Sequence, residues 1–243
     1  MKAMIFAAGL GTRLRPLTND RPKALVEVHG KTLLQHAIEH LKQFGITSIV
    51  VNIHHFGEKV LAVLDQHQNF GCEIIISDER SELLETGGGL KKAAAYFNNE
   101  NAIVVYNVDV LSNIDLQKML LYHQQHQALA TLATRNRISS RYLLFNEQQE
   151  LCGWTNTKTK EIKNVRAAKK TNHYAFSGIH IIDPKLLPLI QQEGKFSITT
   201  TYLDLATQHK IIAYPHDKDY WFDVGKPENL AKAVRFLDLK KNS

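Results

Sequence analysis

The sequence predicts an α/β protein: a mostly parallel sheet in a three-layer arrangement, with helices on both faces and a small antiparallel addition. Three observations lead there. Short apolar runs alternate with longer amphipathic segments, as consecutive β-α-β units require. The runs are nearly continuous in Ile and Val, which suits strands covered on both faces. From Leu129 onward the runs shorten and polar turns separate them, which suits antiparallel pairing.

Strands are predicted over 3–8, 48–53, 73–77 and 102–106. Residues 33–44 place Leu34, Ala37, Ile38 and Leu41 on one helical face, and Gly45 follows as the residue just past the helix end. Residues 58–67 and 90–97 read as further covering helices. The short antiparallel runs are 130–134, 142–145 and 151–154; 175–182 is another buried strand, and 227–239 is a closing helix that begins with Pro227. The pattern is Rossmann-like. At 243 residues and 44% hydrophobic content the chain can bury one substantial core, and no repeat, low-complexity tract or linker divides it. Residues 1–243 are therefore expected to form a single domain, with the antiparallel insertion at approximately 129–175.

Composition narrows the function classes. A net charge of +6 suits a polyanionic partner, but apart from Lys169-Lys170 and Lys240-Lys241 the cations are dispersed among acids. No aromatic strand of the RNA-binding kind accompanies them, so a small phosphorylated substrate is expected and nucleic acid is not. Cys72 and Cys152 lie far apart without CxxC spacing, which suggests neither a disulfide framework nor a thiolate zinc site and fits a reducing cytoplasm. The first apolar run is broken by Gly9, Gly11 and Arg13, far short of a signal segment or a membrane span. The expectation is a cytoplasmic protein without a membrane partner.

The first segment with chemistry is Ala7-Ala8-Gly9-Leu10-Gly11-Thr12-Arg13-Leu14-Arg15-Pro16-Leu17-Thr18, directly after the first strand. Glycines at a strand's carboxyl end let the backbone approach a ligand and offer N–H groups to phosphate oxygens. Neither common nucleotide fingerprint fits. Leu14 stands where GxGxxG needs its third glycine, the second strand ends at Asn52 without a ribose-binding acid, and the Lys-Ser/Thr of a Walker A loop is absent. What remains is a glycine turn followed by Arg13 and Arg15, then by Pro22-Lys23-Ala24-Leu25. Arg13 and Lys23 can both point at a triphosphate and neutralise the departing pyrophosphate. The plain alternative is a tight turn with surface cations.

A rival reading comes from His36, Glu39 and His40, which match the His-x-x-Glu-His zinc-peptidase motif. No third acidic ligand follows, so a covering helix with its histidines beside the apolar face is the expectation. His54-His55 reads as loop.

The string GLGTRLRPLT, followed by PKALVEV and a helix starting near Lys31-Thr32, resembles the signature of the sugar-phosphate nucleotidyltransferases. Further pieces fall in that family's order: Leu84-Glu85-Thr86-Gly87-Gly88-Gly89, Val105-Tyr106-Asn107-Val108-Asp109, Phe176-Ser177-Gly178-Ile179 and Trp221-Phe222-Asp223-Val224-Gly225. Together they span almost the whole chain. The Leu-Glu-Thr-Gly-Gly-Gly version is similar to the N-acetylmuramate-1-phosphate uridylyltransferases, whereas many guanylyl and thymidylyl relatives carry a Gly-Thr-Ala type of turn there.

The resemblance implies the nucleotide-diphospho-sugar transferase fold and an enzyme that joins a sugar 1-phosphate to a nucleoside triphosphate, with UTP expected from that turn. It makes Asp109 and Asp223 the pair that holds Mg²⁺, and Arg13 and Lys23 the catalytic cations. Nucleotide contacts fall to Ala8, Gly9, Gly11, Thr12, Arg13, Lys23, Glu79, Gly87 and Asn107, and sugar contacts to Glu85, Thr86, Asn172, Ser177 and Gly178. Helix-opening amides at residues 86–89 would favour an anion or a hydroxyl-rich ligand. Val108 stands where the family usually has Gly, and its bulk bears on the ribose more than on the metal. The Glu-Lys-Pro segment whose Lys grips the sugar phosphate in many relatives is missing, and Arg137 or Arg141 is expected in its place. The alternatives are a guanylyl or other nucleotide specificity on the same fold, or a non-catalytic nucleotide-sugar-binding regulatory module. The presence of Arg13, Lys23, Asp109 and Asp223 together favours catalysis.

Overall fold

The computed structural model describes residues 1–98 and 100–241. β1 (Lys2–Phe6) runs straight into the glycine loop, which carries 3-10 turns at Thr12–Leu14 and Lys23–Leu25. A small hairpin, β2 (Glu27–Val28) with β3 (Lys31–Thr32), leads into α1 (Leu33–Gln43). The Thr32 hydroxyl caps α1 by accepting from the Gln35 N–H, and Leu34, Ala37, Ile38 and Leu41 are buried as the helical spacing predicts. Gly45 takes φ 72° just beyond the helix, a left-handed conformation that glycine adopts without strain.

β4 (Ser48–Ile53), α2 (Gly57–Gln66), β5 (Glu73–Asp78) and α3 (Glu85–Lys92) follow, then β6 (Ile103–Asn107) and β7 (Val110–Ser112). The helix expected over 90–97 is displaced: α3 ends at Lys92, and Ala94–Phe97 forms a 3-10 turn. α4 (Leu116–Gln125) lacks a broad apolar stripe, burying only Leu116, Met119 and His123, and periodicity does not reveal it. After β8 (Ala130–Arg135), β9 (Arg141–Phe145), β10 (Leu151–Asn156), β11 (Glu161–Asn164) and β12 (Asn172–Ile182) comes α5 (Ile198–Leu205). α5 carries three consecutive threonines, poor helix formers, yet Ser197 caps it and Tyr202 anchors it in the core. β13 (Ile211–Pro215), β14 (Trp221–Asp223) and α6 (Pro227–Lys241) complete the chain.

β5, β4, β1 and β6 pair in parallel in that order. β12 joins antiparallel to β6, β8 antiparallel to β12, and β13 parallel to β8. The antiparallel β9, β10 and β11 extend from the start of β12. β8 thus pairs antiparallel with β12 inside the main sheet, and β9, β10 and β11 form the antiparallel extension beyond it.

Strand alternation sends Ala3 and Ile5 of β1, with Val104 and Tyr106 of β6, into one core beneath α1, α2, α4 and α6. Met4, Phe6, Ile103 and Val105 go to the other face, beneath α3 and α5. Burial on both faces is the physical reason for the continuous Ile and Val runs.

Candidate active site

Two strand connections bring the distant acids together. Val108 N–H donates to Phe6 O at 3.2 Å, so the chain leaves β6 at the carboxyl edge of the parallel sheet with Asp109 at that edge. β14 then pairs antiparallel with β7, setting Asp223 opposite Val110, and Val224 N–H donates to Asp109 O at 2.9 Å. The Asp223 Oδ1 accepts from Gly225 N–H at 2.9 Å, while Asn229 Nδ2 holds the Asp223 carbonyl at 2.8 Å.

Gly225 shows how tightly the charges converge. A methyl group added there would lie 2.8 Å from Asp223 Oδ1, 2.9 Å from Arg13 Nη2 and 3.1 Å from Asp109 Oδ2. Lys23 Nζ forms an ion pair with Asp109 Oδ2, both side chains being largely shielded from solvent. Burial, and then the neighbouring charge of Asp109, push the Asp223 carboxyl above the usual carboxylate range. The Gly225 N–H, Lys23 and Arg13 oppose that shift. Two carboxylates of this kind need a positive charge between them. Mg²⁺ is held by one or two carboxylates completed by phosphate oxygens and water, and this donor set fits it. Among the described residues no cluster of three or more His, Cys, Asp or Glu offers an all-protein cage.

The glycine loop is built from beneath by Asn52, which the sequence analysis does not assign to the site, and by Glu79, which it does. The Asn52 Oδ1, buried at the end of β4, accepts from Ala7 N–H at 2.7 Å and Ala8 N–H at 3.3 Å. Its Nδ2 donates to Glu79 Oε1 at 2.7 Å, and the other Glu79 oxygen accepts from Leu84 N–H at 3.3 Å. Glu79 is fully buried and its carboxyl is raised by that burial. Both of its oxygens accept from protein N–H groups, so it supports Asn52 and the loop after β5. Asn52 is a buried amide among Val and Ile at a strand's carboxyl end, and that is the signal that finds it.

Gly11, at φ 65°, sits so close to Lys23 and Thr18 that a Cβ would meet each at 3.0 Å. Gly9 has open space above it, leaving room for a ligand against the backbone. The neighbouring Thr12 is exposed at the start of its 3-10 turn.

A cleft of about 350 Å³ opens between this loop and the start of α3, lined by Ala8, Gly9, Lys23, Asn107, Asp109, Glu85 and Thr86, with Leu83 and Ser197 as unpredicted neighbours. Gly87 does not reach it. Its N–H donates to Phe196 O at 2.9 Å and a Cβ would strike the Phe196 ring at 2.3 Å, so Gly87 is a packing residue. Gly88 N–H shares the same carbonyl at 3.4 Å, and Thr86 Oγ1 accepts from Ile198 N–H at 3.0 Å. The amides expected to take an anion are thus used to clamp α3 to the 193–198 segment. At Gly88 a Cβ would meet the Gly194 carbonyl oxygen at 2.2 Å. Gly88→Ala is expected to cost about 3 kcal/mol of stability, measured as a lower denaturation midpoint in urea; an unchanged midpoint would remove the clamp.

β12 runs antiparallel beside β6 at this edge of the sheet. Gly178, at φ 78°, lies so near Asn107 that a Cβ would meet its Nδ2 at 2.7 Å. The Ser177 hydroxyl hydrogen-bonds His216 Nε2 at 2.8 Å, and Trp221 Nε1 donates to Ser177 O at 2.8 Å. Burial pushes His216 down to about 4, so it is neutral near pH 7. Arg137 sits over the Trp221 ring, its Cζ 4.4 Å from the centroid. Arg141 is exposed at the start of β9, and Asn172 lies at the start of β12 opposite Phe145.

The zinc-peptidase motif dissolves into packing. His40 is buried, with Nδ1 3.1 Å from Tyr106 Oη and Nε2 3.0 Å from Ile114 O. His36 Nε2 lies 2.8 Å from Val28 O, and Glu39 pairs with Lys31.

A parallel sheet whose carboxyl edge gathers two acids and two cations beside a glycine loop defines an α/β protein with a charged site at that edge. Residues 2–239 match the family model described as nucleotidyl transferase, and the chain belongs to that family of sugar-phosphate nucleotidyltransferases. It is 33% identical to the N-acetylmuramate alpha-1-phosphate uridylyltransferase of Caulobacter vibrioides, over 97% of each chain. It is 31% identical to the mannose-1-phosphate guanyltransferase of Pichia angusta, covering all of this chain and 66% of that protein. Among solved structures, HddC from Yersinia pseudotuberculosis, complexed with GMP-PN, superposes with a TM-score of 0.77 at 22% identity, over 97% of this chain and 99% of that one. The UDP-glucose pyrophosphorylase of Acinetobacter baumanii gives a TM-score of 0.80 at 19% identity, covering 98% and 93%. These likenesses establish the nucleotide-diphospho-sugar transferase fold.

Proposed function

We propose that the chain catalyses attack of a sugar 1-phosphate on the α-phosphorus of a nucleoside triphosphate, UTP by preference, releasing pyrophosphate and a nucleotide-activated sugar. The observation that carries this reading is the convergence of Asp109, Asp223 and Arg13 on the space above Gly225, with Lys23 paired to Asp109 at the mouth of the cleft. Both substrates are anions, so charge neutralisation and alignment do most of the work, and no side-chain nucleophile is needed. Asp109 and Asp223 would hold Mg²⁺, which supplies Lewis-acid charge to the reacting phosphates when bound. Arg13 faces the leaving pyrophosphate and Lys23 the α-phosphate, while the Ala8 to Thr12 backbone cradles the nucleotide's tail. Glu85, Thr86 and Asn107, which line the cleft, orient nucleotide and sugar, while Ser177, Gly178, Asn172 and Arg141 lie outside its lining and are assigned to the sugar on the family resemblance. A non-catalytic module would not require this set of opposed charges.

The preference for UTP rests on the Leu84 to Gly89 turn and on the uridylyltransferase from Caulobacter vibrioides; the guanyltransferase from Pichia angusta supports GTP as the second reading. Purified protein with Mg²⁺, each common triphosphate and a panel of sugar 1-phosphates is expected to release pyrophosphate fastest with UTP. Turnover with GTP alone moves the base to guanine, and no pyrophosphate from any pair rejects the transferase reading.

A further inference from the structure

The acceptor's phosphate needs a receptor of its own, because Lys23 is paired with Asp109 and Arg13 belongs to the nucleotide loop. Resting on the transferase reading above, we propose that Arg137 is the residue that binds the phosphate of the sugar 1-phosphate, held in place by Trp221.

The placement follows from strand geometry. Residues two apart on a strand share a face, so Trp221 and Asp223 of β14 point the same way. Arg137 stacks on Trp221 and therefore lies on the face that carries the Asp223 carboxylate. The attraction of Asp223 for its guanidinium partly offsets the burial that lowers the Arg137 pKa. Trp221 is itself fixed by its Nε1 bond to Ser177 O.

The hydrogen-bond inventory is equally specific. Of the five N–H groups of a guanidinium, the contact that holds Arg137 uses Nη2, which donates to Phe176 O at 3.1 Å. The Nε is shielded from solvent and so from a ligand, whereas Nη1 makes no hydrogen bond among the described residues and is not shielded. That accessible end of the guanidinium is the part left for an anion. A phosphate offers two oxygens to a guanidinium edge, a geometry that an ammonium cannot reproduce. Neighbouring cations are placed otherwise. Arg166, in the connection between β11 and β12, is bound to Glu150 Oε2 at 2.5 Å and to His209 O at 3.2 Å. Arg141 is exposed and makes no side-chain ion pair among the described residues.

The test uses the triphosphate and sugar 1-phosphate pair that the wild-type protein turns over best. Arg137→Met is expected to raise KM for the sugar 1-phosphate by about 10- to 100-fold, leaving KM for the triphosphate within about twofold. Arg137→Lys restores part of the loss, because charge returns without the planar fork. In the pyrophosphorolysis direction the same Met variant should leave KM for pyrophosphate unchanged, which a general distortion of the site would not. Trp221→Leu, which frees Arg137 without removing it, gives a smaller rise in the sugar 1-phosphate KM. Equal rises in both substrate KM values, or an effect in Arg141→Ala but not in Arg137→Met, overturns the assignment while the transferase reading stands. Absence of any wild-type turnover takes both down together.

Discussion

Asp109→Asn and Asp223→Asn are each expected to lower kcat by about a thousandfold or more, in protein that remains folded. The two carboxylates converge with Arg13 on the space above Gly225, so neither can be replaced by the other. A neutral amide keeps the shape and removes the charge that would hold Mg²⁺. The two variants separate in stability. Burial and Asp109 raise the Asp223 carboxyl, so the folded protein binds that proton more tightly than the unfolded chain does. The resulting stabilisation is fully present below the unfolded pKa and is lost as pH rises through the raised folded one. In metal-free buffer the Tm of Asp223→Asn should therefore gain on that of the wild type as pH climbs through that window, reaching or exceeding it at neutral pH. Asp109→Asn strips Lys23 of its counter-ion and gains nothing of the kind. Retained turnover in either variant would reject its assignment as a metal-holding residue, and a Tm difference between wild type and Asp223→Asn that stays constant across that window would reject the raised Asp223.

Gly225→Ala probes the same centre without touching a charge. The added methyl would sit at 2.8 Å, 2.9 Å and 3.1 Å from Asp223 Oδ1, Arg13 Nη2 and Asp109 Oδ2. All three contacts are ends of side chains that can swing aside, so the fold should lose no more than about 1–2 kcal/mol. Those atoms are the ones the reaction needs, and displacing reacting groups by about 1 Å costs on the order of a hundredfold in rate. Expected is a fall in kcat of that order with a Tm near wild type. Unchanged kcat would mean that the three groups do not act from the positions described.

Much of the fold is legible because its causes are local. The parallel strands are runs of Ile and Val with helices between them, and α1 shows its apolar face, its Thr32 cap and its Gly45 stop within one stretch of chain. Less legible are the elements whose stability is borrowed. α3 begins in three glycines, which favour no helix alone, and is secured by Phe196 and Gly194 from far along the chain. α5, rich in threonine, depends on its Ser197 cap and the burial of Tyr202. The same holds in the candidate site: the glycine turn points to Arg13 and Lys23, and the family resemblance to Asp109 and Asp223, but the internal use of Glu79 and Gly87 shows only when their partners, Asn52 and Phe196, are in place.

By itself the sequence determined the parallel α/β framework, the glycine loop at the end of its first strand and the residue types of a polyphosphate-handling family. Period and composition act over neighbouring residues, and a chain written in one dimension carries them. Only the tertiary structure decided which charges share one point, because the β7–β14 ladder sets Asp223 beside Asp109 across more than a hundred residues of chain. It also decided which polar groups are free for a ligand. A carboxylate or an amide has the same chemistry wherever it stands, and packing alone determines whether a protein atom already occupies its hydrogen bonds.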